Sequence, residues 1–243
     1  MCLECAIRRG TRIVCRMLLL IVSLAAAPVF GQQEYVGRWD VFAGYSFLNS
    51  PKVDLFDQGV HLQFGMRRTT WYSLGLDYSY TKGDLTLTPD LLPDEPKHKL
   101  DAQLSALTAA GLLPANYVLA VPVESKTQTF AAGPQLAYRG WKPVTPFIRP
   151  SMGAIYERSY PRPADAIAKA IVAQLAPSGT KRDWTGFYGI GGGFDFNFTK
   201  HFSLRTQADL VWDHLFNDIL KEGRWTVRFS VGPAFQWGRN MRK

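Results

Sequence analysis

The sequence predicts an all-β fold: a transmembrane, eight-stranded antiparallel up-and-down β-barrel with two short helices in its extracellular loops. Three observations predict it. Apolar and polar residues alternate with period two from Trp39 to Trp237, the periodicity of strands whose two faces meet different surroundings. The alternating runs reach about ten residues or more, the length a tilted strand needs to cross a bilayer, where soluble strands are usually nearer 5–6 residues. The connections also alternate long and short, as in a barrel with turns on one side of a membrane and loops on the other.

Taken in order, the first strand sets Trp39, Val41, Ala43, Tyr45 and Phe47 against Asp40, Phe42, Gly44 and Ser46. The second sets Val60, Leu62, Phe64 and Met66 against His61, Gln63, Gly65 and Arg67. In the third, Tyr72, Leu74, Leu76, Tyr78 and Tyr80 oppose Ser73, Gly75, Asp77, Ser79 and Thr81. The fourth places Phe130, Ala132, Pro134, Leu136 and Tyr138 opposite Thr127, Thr129, Ala131, Gly133, Gln135 and Arg139. The fifth alternates Pro146, Ile148, Pro150, Met152, Ala154 and Tyr156 with Thr145, Phe147, Arg149, Ser151, Gly153 and Glu157.

The sixth strand contains GFYGIGGGFDFNFTK, residues 186–200. It is no phosphate-binding loop. A dinucleotide fingerprint from Gly189 needs a glycine where Phe194 stands, and a helix rather than a strand should follow. Instead Trp184, Tyr188, Ile190, Phe194, Phe196 and Phe198 face one way, while Phe187, Gly189, Gly191, Gly193 and Asp195 face the other. An eight-stranded barrel has an interior only wide enough to be filled by side chains. The three inward glycines are therefore expected to make room for Phe187, Phe42 and Phe147. The seventh strand sets Phe202, Leu204, Thr206, Ala208, Leu210 and Trp212 against Ser203, Arg205, Gln207, Asp209 and Asp213. The eighth sets Trp225, Val227, Phe229, Val231, Pro233, Phe235 and Trp237 against Thr226, Arg228, Ser230, Gly232, Ala234 and Gln236. The apolar face ends in Trp, Tyr and Phe, matching the aromatic girdles of bilayer-spanning barrels.

Composition agrees with an exported chain. It holds 7 Trp, 10 Tyr and 15 Phe in 243 residues, with a mean hydropathy of -0.10, unlike a helical membrane protein. Of the formal charge of +8, residues 1–31 contribute +3 through Arg8, Arg9, Arg12 and Arg16 against Glu4, leaving +5. No basic run interleaved with aromatics points to nucleic acid. The basic segment ending at Arg16, the apolar run Met17–Phe30 and the small residues Val29 and Gly31 read as a signal peptide cut after Gly31. The alternative is a buried N-terminal helix. Residues 32–243 then form a single barrel domain free of cysteine, because Cys2, Cys5 and Cys15 all precede the cut. No disulfide or Cys-ligated metal is expected in it.

The connections run long at 49–59, 82–126, 158–183 and 214–224, and short at 68–70, 140–143 and 200–201. Long outer loops and short periplasmic turns put both termini in the periplasm. Two loops carry helical spacing: Leu100, Leu104, Leu107 and Gly111 between Pro96 and Pro114, and Ile167, Ile171 and Leu175 between Pro163 and Pro177. Such helices either pack on each other and on the rim, or form a lid or partner-binding surface.

The chain from about residue 35 to 237 resembles the OmpA-type eight-stranded outer-membrane barrels of the barrel-only kind. The resemblance is carried by the strand pattern, by WDVFAGYSFL at Trp39–Leu48 and by SVGPAFQW at Ser230–Trp237. The last segment is similar to the assembly signal of such proteins, through Ser230, Gly232, Phe235 and Trp237, although Gly238–Lys243 follow it. The resemblance implies outer-membrane lipid and the barrel-assembly machinery as partners, a monomer, and an extracellular ligand at the outer loops.

Catalytic signals are few. His61, His98, His201 and His214 are the only histidines, and none has metal-ligand spacing. His201 and Ser203 are similar to the His-x-Ser pair of outer-membrane lipid A deacylases, but lie at a periplasmic turn without a matching acid. His214 beside Asp213 has no nucleophile. No catalytic residue, cofactor or metal is expected. The residues expected to matter instead are the inward charges Asp195, Arg205, Arg149, Asp209, Arg228, Asp40 and Asp77. Asp195 falls across from Arg205 and is expected to sit between it and Arg149. Asp209 falls beside Arg228, which Asp40 borders if the barrel closes. A lumen plugged by such pairs gives a structural or surface-recognition role, against a small-solute channel or a lipid A-modifying enzyme.

Overall fold

The computed structural model describes residues 33–51, 55–114, 116–216 and 223–242. The proposed signal peptide thus lies outside the described residues. Eight strands run in chain order: β1 Gly37–Ser50, β2 Leu55–Arg67, β3 Tyr72–Leu87, β4 Val121–Ala137, β5 Val144–Pro161, β6 Lys181–Asn197, β7 Phe202–Asp213 and β8 Arg224–Asn240. Each pairs antiparallel with its neighbours, and β8 returns to β1 to close the barrel. Closure leaves no unpaired strand edge, which is what backbone amides in a hydrocarbon layer require. Among the described residues no helix is long and apolar enough to cross a membrane.

Burial divides each strand as the alternation requires. Inward Asp40, Phe42, His61, Asp77, Arg149, Arg205 and Ser230 are all buried, while outward Leu76, Met152, Trp184 and Tyr188 are more than 60% exposed. Aromatics gather toward both ends of the outer surface. Near the short turns Trp39 stacks on Phe64 and Phe235 on Trp237; toward the loops Trp212 meets Trp225.

The strands run further toward the loops than the alternation alone indicates. The two large connections shrink from 82–126 and 158–183 to 88–120 and 162–180, and the first, read as 49–59, to 51–54. The cause is burial above the girdle. Leu48 and Leu55 are covered by Leu85 and Leu91, and Val121 and Val123 lie under the loop helices, so the extended ladders keep an apolar underside. Those helices are α1 Asp94–Ala109, preceded by a 3-10 turn at Pro89–Leu91, and α2 Ala166–Leu175. They share one apolar cluster with the rim, built from Leu92, Leu100, Leu119, Val121, Ala168 and Val172.

Two seams of the wall are interrupted. The β4–β5 register stops at Ala132↔Met152 and resumes at Leu136↔Ile148, skipping the point where Pro134 faces Pro150. The β1–β8 register stops at Phe42↔Ala234 and resumes at Tyr45↔Val231, skipping Pro233. Proline has no N–H to give a ladder. The other faces of these prolines sit in unbroken registers with β3, β6 and β7.

Candidate functional site

The lumen is the most highly built part of the molecule, and its lowest layer lies beside the short turns. Arg205 donates from Nε to Asp195 Oδ1 at 2.7 Å and from Nη2 to Asp195 Oδ2 at 3.1 Å. The same guanidinium reaches Asp40 Oδ2 at 3.2 Å and Gln63 Oε1 at 2.9 Å. It also lies between the rings of Phe42 and Phe147, 5.7 and 5.1 Å from their centroids. Arg67 stands 3.5 Å from the other oxygen of Asp40 and donates to the Gly37 carbonyl at 2.6 Å. Arg139 is held by the Thr70 carbonyl and Gln33 at 2.9 and 2.8 Å. These side chains leave a cavity of about 10 Å³, about the room one water needs.

The middle layer joins β2, β3, β5, β7 and β8. Arg149 donates to Asp77 Oδ1 at 2.7 Å, and its Nη2 lies 2.7 Å from Oδ2. Arg228 donates to Asp209 Oδ2 at 3.0 and 2.8 Å through two nitrogens, and to Ser79 at 3.1 Å. Gln63 and Gln207 bridge these layers, 2.8 Å apart. Toward the loops, Arg224 donates to Asp213 at 3.0 Å and pairs with Glu157. Asp57 accepts from Thr127, Thr81 and Ser125 at 3.0, 3.4 and 3.4 Å.

Two of the neighbourhoods expected from the sequence are different in the structure. Arg149 does not flank Asp195: the β5–β6 register places it opposite Gly191, while Asp195 stands opposite Thr145. Its carboxylate is Asp77, across the lumen on β3. Asp40 does not border Arg228 either, because closure sets Asp40 opposite Gln236 and Arg228 opposite Leu48. Asp40 is instead shared by Arg67 and Arg205. Cross-strand neighbours along one seam, Asp195↔Arg205 and Asp209↔Arg228, do stand directly opposite each other.

The β6 glycines serve one of the expected neighbours, Phe147, and others besides. A Cβ on Gly191 would fall on Asp209 Oδ1, and one on Gly193 would meet both the β7 backbone at Thr206 and the Phe147 ring. Gly65 likewise yields to the Asp40 carboxylate and Gly44 to the Phe42 ring. Glycine is thus placed where a charged group or a neighbouring strand comes closest.

One grouping was not drawn from the sequence. His61 lies with Nε2 3.3 Å from Asp77 Oδ1 and Nδ1 2.9 Å from Ser230 Oγ. This is the order of acid, base and hydroxyl used in acyl transfer. Here all three are buried, Asp77 is also bound by Arg149, and Ser230 continues to Ser46 at 3.2 Å. The grouping is thus one run of the buried hydrogen-bonded network that fills the lumen. His201, on a short turn, is tied to the Gln236 carbonyl at 2.9 Å and flanked by Tyr35 and Phe235. His214 packs edge-on against Trp212. Among the described residues no cluster of His, Asp and Glu is arranged to hold a metal.

Of the four residues of the resemblance's assembly segment, Ser230 points into the lumen, Gly232 lies against the β1 backbone at Ala43 and Gly44, and Phe235 and Trp237 face outward. Above the barrel, Asp165 caps α2 by accepting from the Ile167 and Ala168 amides at 2.9 and 2.7 Å. It also accepts from Tyr117 at 2.9 Å, joining the two loops. The Ala168 amide first, and then the Tyr117 hydroxyl, hold its carboxyl below the ordinary aspartate range.

No family model and no curated protein sequence matches the chain. Among solved structures, it is similar to Neisserial surface protein A, with a TM-score of 0.50 and 10% identity over 82% of this chain and 96% of that one. It is also similar to the attachment invasion locus protein Ail of Yersinia pestis, solved with the heparin analogue sucrose octasulfate, with a TM-score of 0.46 and 13% identity over 82% and 97% of the two chains. The outer membrane protein OprG from Pseudomonas aeruginosa gives a TM-score of 0.46 and 10% identity over 86% and 99%. At such identities the likeness is one of fold: this chain has the fold of the eight-stranded outer-membrane β-barrels.

Proposed function

We propose that the protein is a non-catalytic, non-conducting outer-membrane barrel whose helical cap is a surface-recognition platform. The reading is carried by the lumen, where Arg149, Arg205 and Arg228 reach from one wall to acceptors on another, and where the cavity beside Arg205, Arg67 and Arg139 has room for about one water. A hydrated pore would need these side chains to stand apart. The first and last described residues, Gln33 and Arg242, and the short turns lie at one end and the cap at the other, which supports a periplasmic position for both termini and an extracellular one for the cap. In that orientation β8 would present Ser230–Trp237 to the assembly machinery, and the exposed cap residues Leu112 and Val118 would meet an extracellular ligand. The protein would act as a monomer after removal of residues 1–31. Reconstituted in a planar bilayer, it is expected to give no steady single-channel current. Regular conductance steps from the unmutated protein would replace this reading with that of a channel.

A further inference from the structure

The outer wall carries a feature that sheet stability alone disfavours. Lys82, Lys126, Arg158 and Arg182 stand directly opposite one another on four successive strands: Lys82↔Lys126, Lys126↔Arg158 and Arg158↔Arg182. Like charges in opposed positions destabilise a sheet. All four share the outward parity of Tyr80, Tyr156 and Trp184, and the row two residues nearer the middle is Tyr80, Gln128, Tyr156 and Trp184. The cations therefore begin where the lipid-facing surface turns polar, at the end of the barrel that bears the cap.

The described residues do not neutralise them. Glu124 accepts Lys82 at 2.8 Å, stands 3.7 Å from Lys126 and also pairs with Arg162, so one carboxylate serves three cations. Among the described residues Arg158 is bound by phenols alone, Tyr160 at 3.2 Å and Tyr156 at 3.3 Å. Lys126 lies 4.7 Å from the Tyr160 ring. Arg182 is exposed and, among the described residues, makes no carboxylate contact. Counting Arg162 with the row, and Asp84 opposite Glu124, five cations face two carboxylates, a formal excess of three.

We infer that this row is a binding site for the phosphate groups of a phosphorylated lipid in the leaflet beside the cap. Guanidinium and ammonium groups give phosphate oxygens short, charge-assisted hydrogen bonds. Adjacent strands are spaced at roughly 4.7–4.9 Å, so four cations offer a strip long enough for more than one phosphate. The aromatic row beneath would receive the start of the acyl chains, so the occupant is a lipid and not a free anion. That this leaflet is the outer one, made of phosphorylated glycolipid, rests on the orientation proposed above.

The test is native mass spectrometry of the purified barrel in detergent, titrated with bisphosphorylated lipid A and with its dephosphorylated form. The unmutated protein is expected to retain the first and release the second. Lys82→Gln, Lys126→Gln, Arg158→Gln and Arg182→Gln combined should weaken retention about tenfold or more, with heat-modifiable migration on gels confirming that the variant is folded. Arg38→Gln, Arg68→Gln and Arg239→Gln, which remove charge at the opposite rim, should leave retention unchanged. Equal retention by the folded row variant, equal retention of the dephosphorylated lipid, or equal loss from the opposite-rim variant would overturn the site. Full displacement of lipid A by free glucosamine phosphate at equal concentration would overturn the choice of a lipid. Orientation is read separately, by labelling Leu112→Cys on intact cells with an impermeant reagent. Labelling failure there would reject the orientation while leaving the lipid titration to decide the row.

Discussion

Arg205 is the residue on which most of the lower lumen depends. It holds Asp195 bidentately and also reaches Asp40 and Gln63. Breaking one buried ion pair costs about 3–5 kcal/mol, because the partner left behind is a buried unpaired charge. Asp195→Ala leaves Arg205 with Asp40, whereas Arg205→Ala leaves Asp195 without its cation and Asp40 with Arg67 alone. Arg205→Ala is therefore expected to lower the urea unfolding midpoint more than Asp195→Ala, and the double change should cost less than the sum of the two. Strict additivity would mean the pair is not coupled. Gly191→Ala is expected to destabilise by about 1–3 kcal/mol, since overpacking displaces the Asp209 carboxylate from Arg228. Gly186→Ala, on the same strand but facing outward with its nearest neighbour 3.8 Å away, should be close to neutral in the same unfolding assay.

At the scale of elements, the faces of all eight strands were legible because a period of two separates lipid from lumen without reference to any other strand. Pairs along one seam, such as Asp195 with Arg205, were legible too, since a short turn fixes their register. Contacts across the lumen were not. Which wall Arg149 reaches depends on the shear of the closed barrel, and the triad of Asp77, His61 and Ser230 exists only because β8 closes on β1. The strand ends above the girdle were missed because Leu85, Leu87, Val121 and Val123 are held in strands by the cap, which no local pattern announces. The cap itself carries a pH dependence. Asp165 has a lowered pKa in the folded protein, so its contribution is complete above the ordinary aspartate range and is lost as pH falls through that lower value. Amide exchange at Ile167 and Ala168, corrected for intrinsic rate, is expected to accelerate selectively in strong acid. Asp165→Asn should remove that acid sensitivity; an unchanged pH profile would place the α2 cap elsewhere.

The whole molecule has an apolar exterior that carries no structure of its own and a polar interior that carries much of it. Leu76→Arg, on a fully lipid-facing position of β3, is expected to cost about 2–4 kcal/mol in a bilayer. Gly75→Ser, one residue away and facing inward, brings a small polar side chain to the guanidinium of Arg149, 3.1 Å from its Cβ, and should cost less. Equal losses from the two would reverse the assignment of inside and outside.

The two proline interruptions lie four strands apart, on opposite sides of an eight-stranded ring. They divide the wall into two half-cylinders, β1–β4 and β5–β8, like a cask with two loose joints between its staves. Through the lower and middle lumen, side chains join one half to the other: Arg149 to Asp77, Arg205 to Asp40 and Gln63, Gln207 to Gln63, Arg228 to Ser79, and Ser230 to His61. The interior therefore works as a set of tie rods and supplies the hoop strength that the backbone lacks at those joints. A load that parts the wall sideways must first cut those rods, and the cask then opens along its prolines.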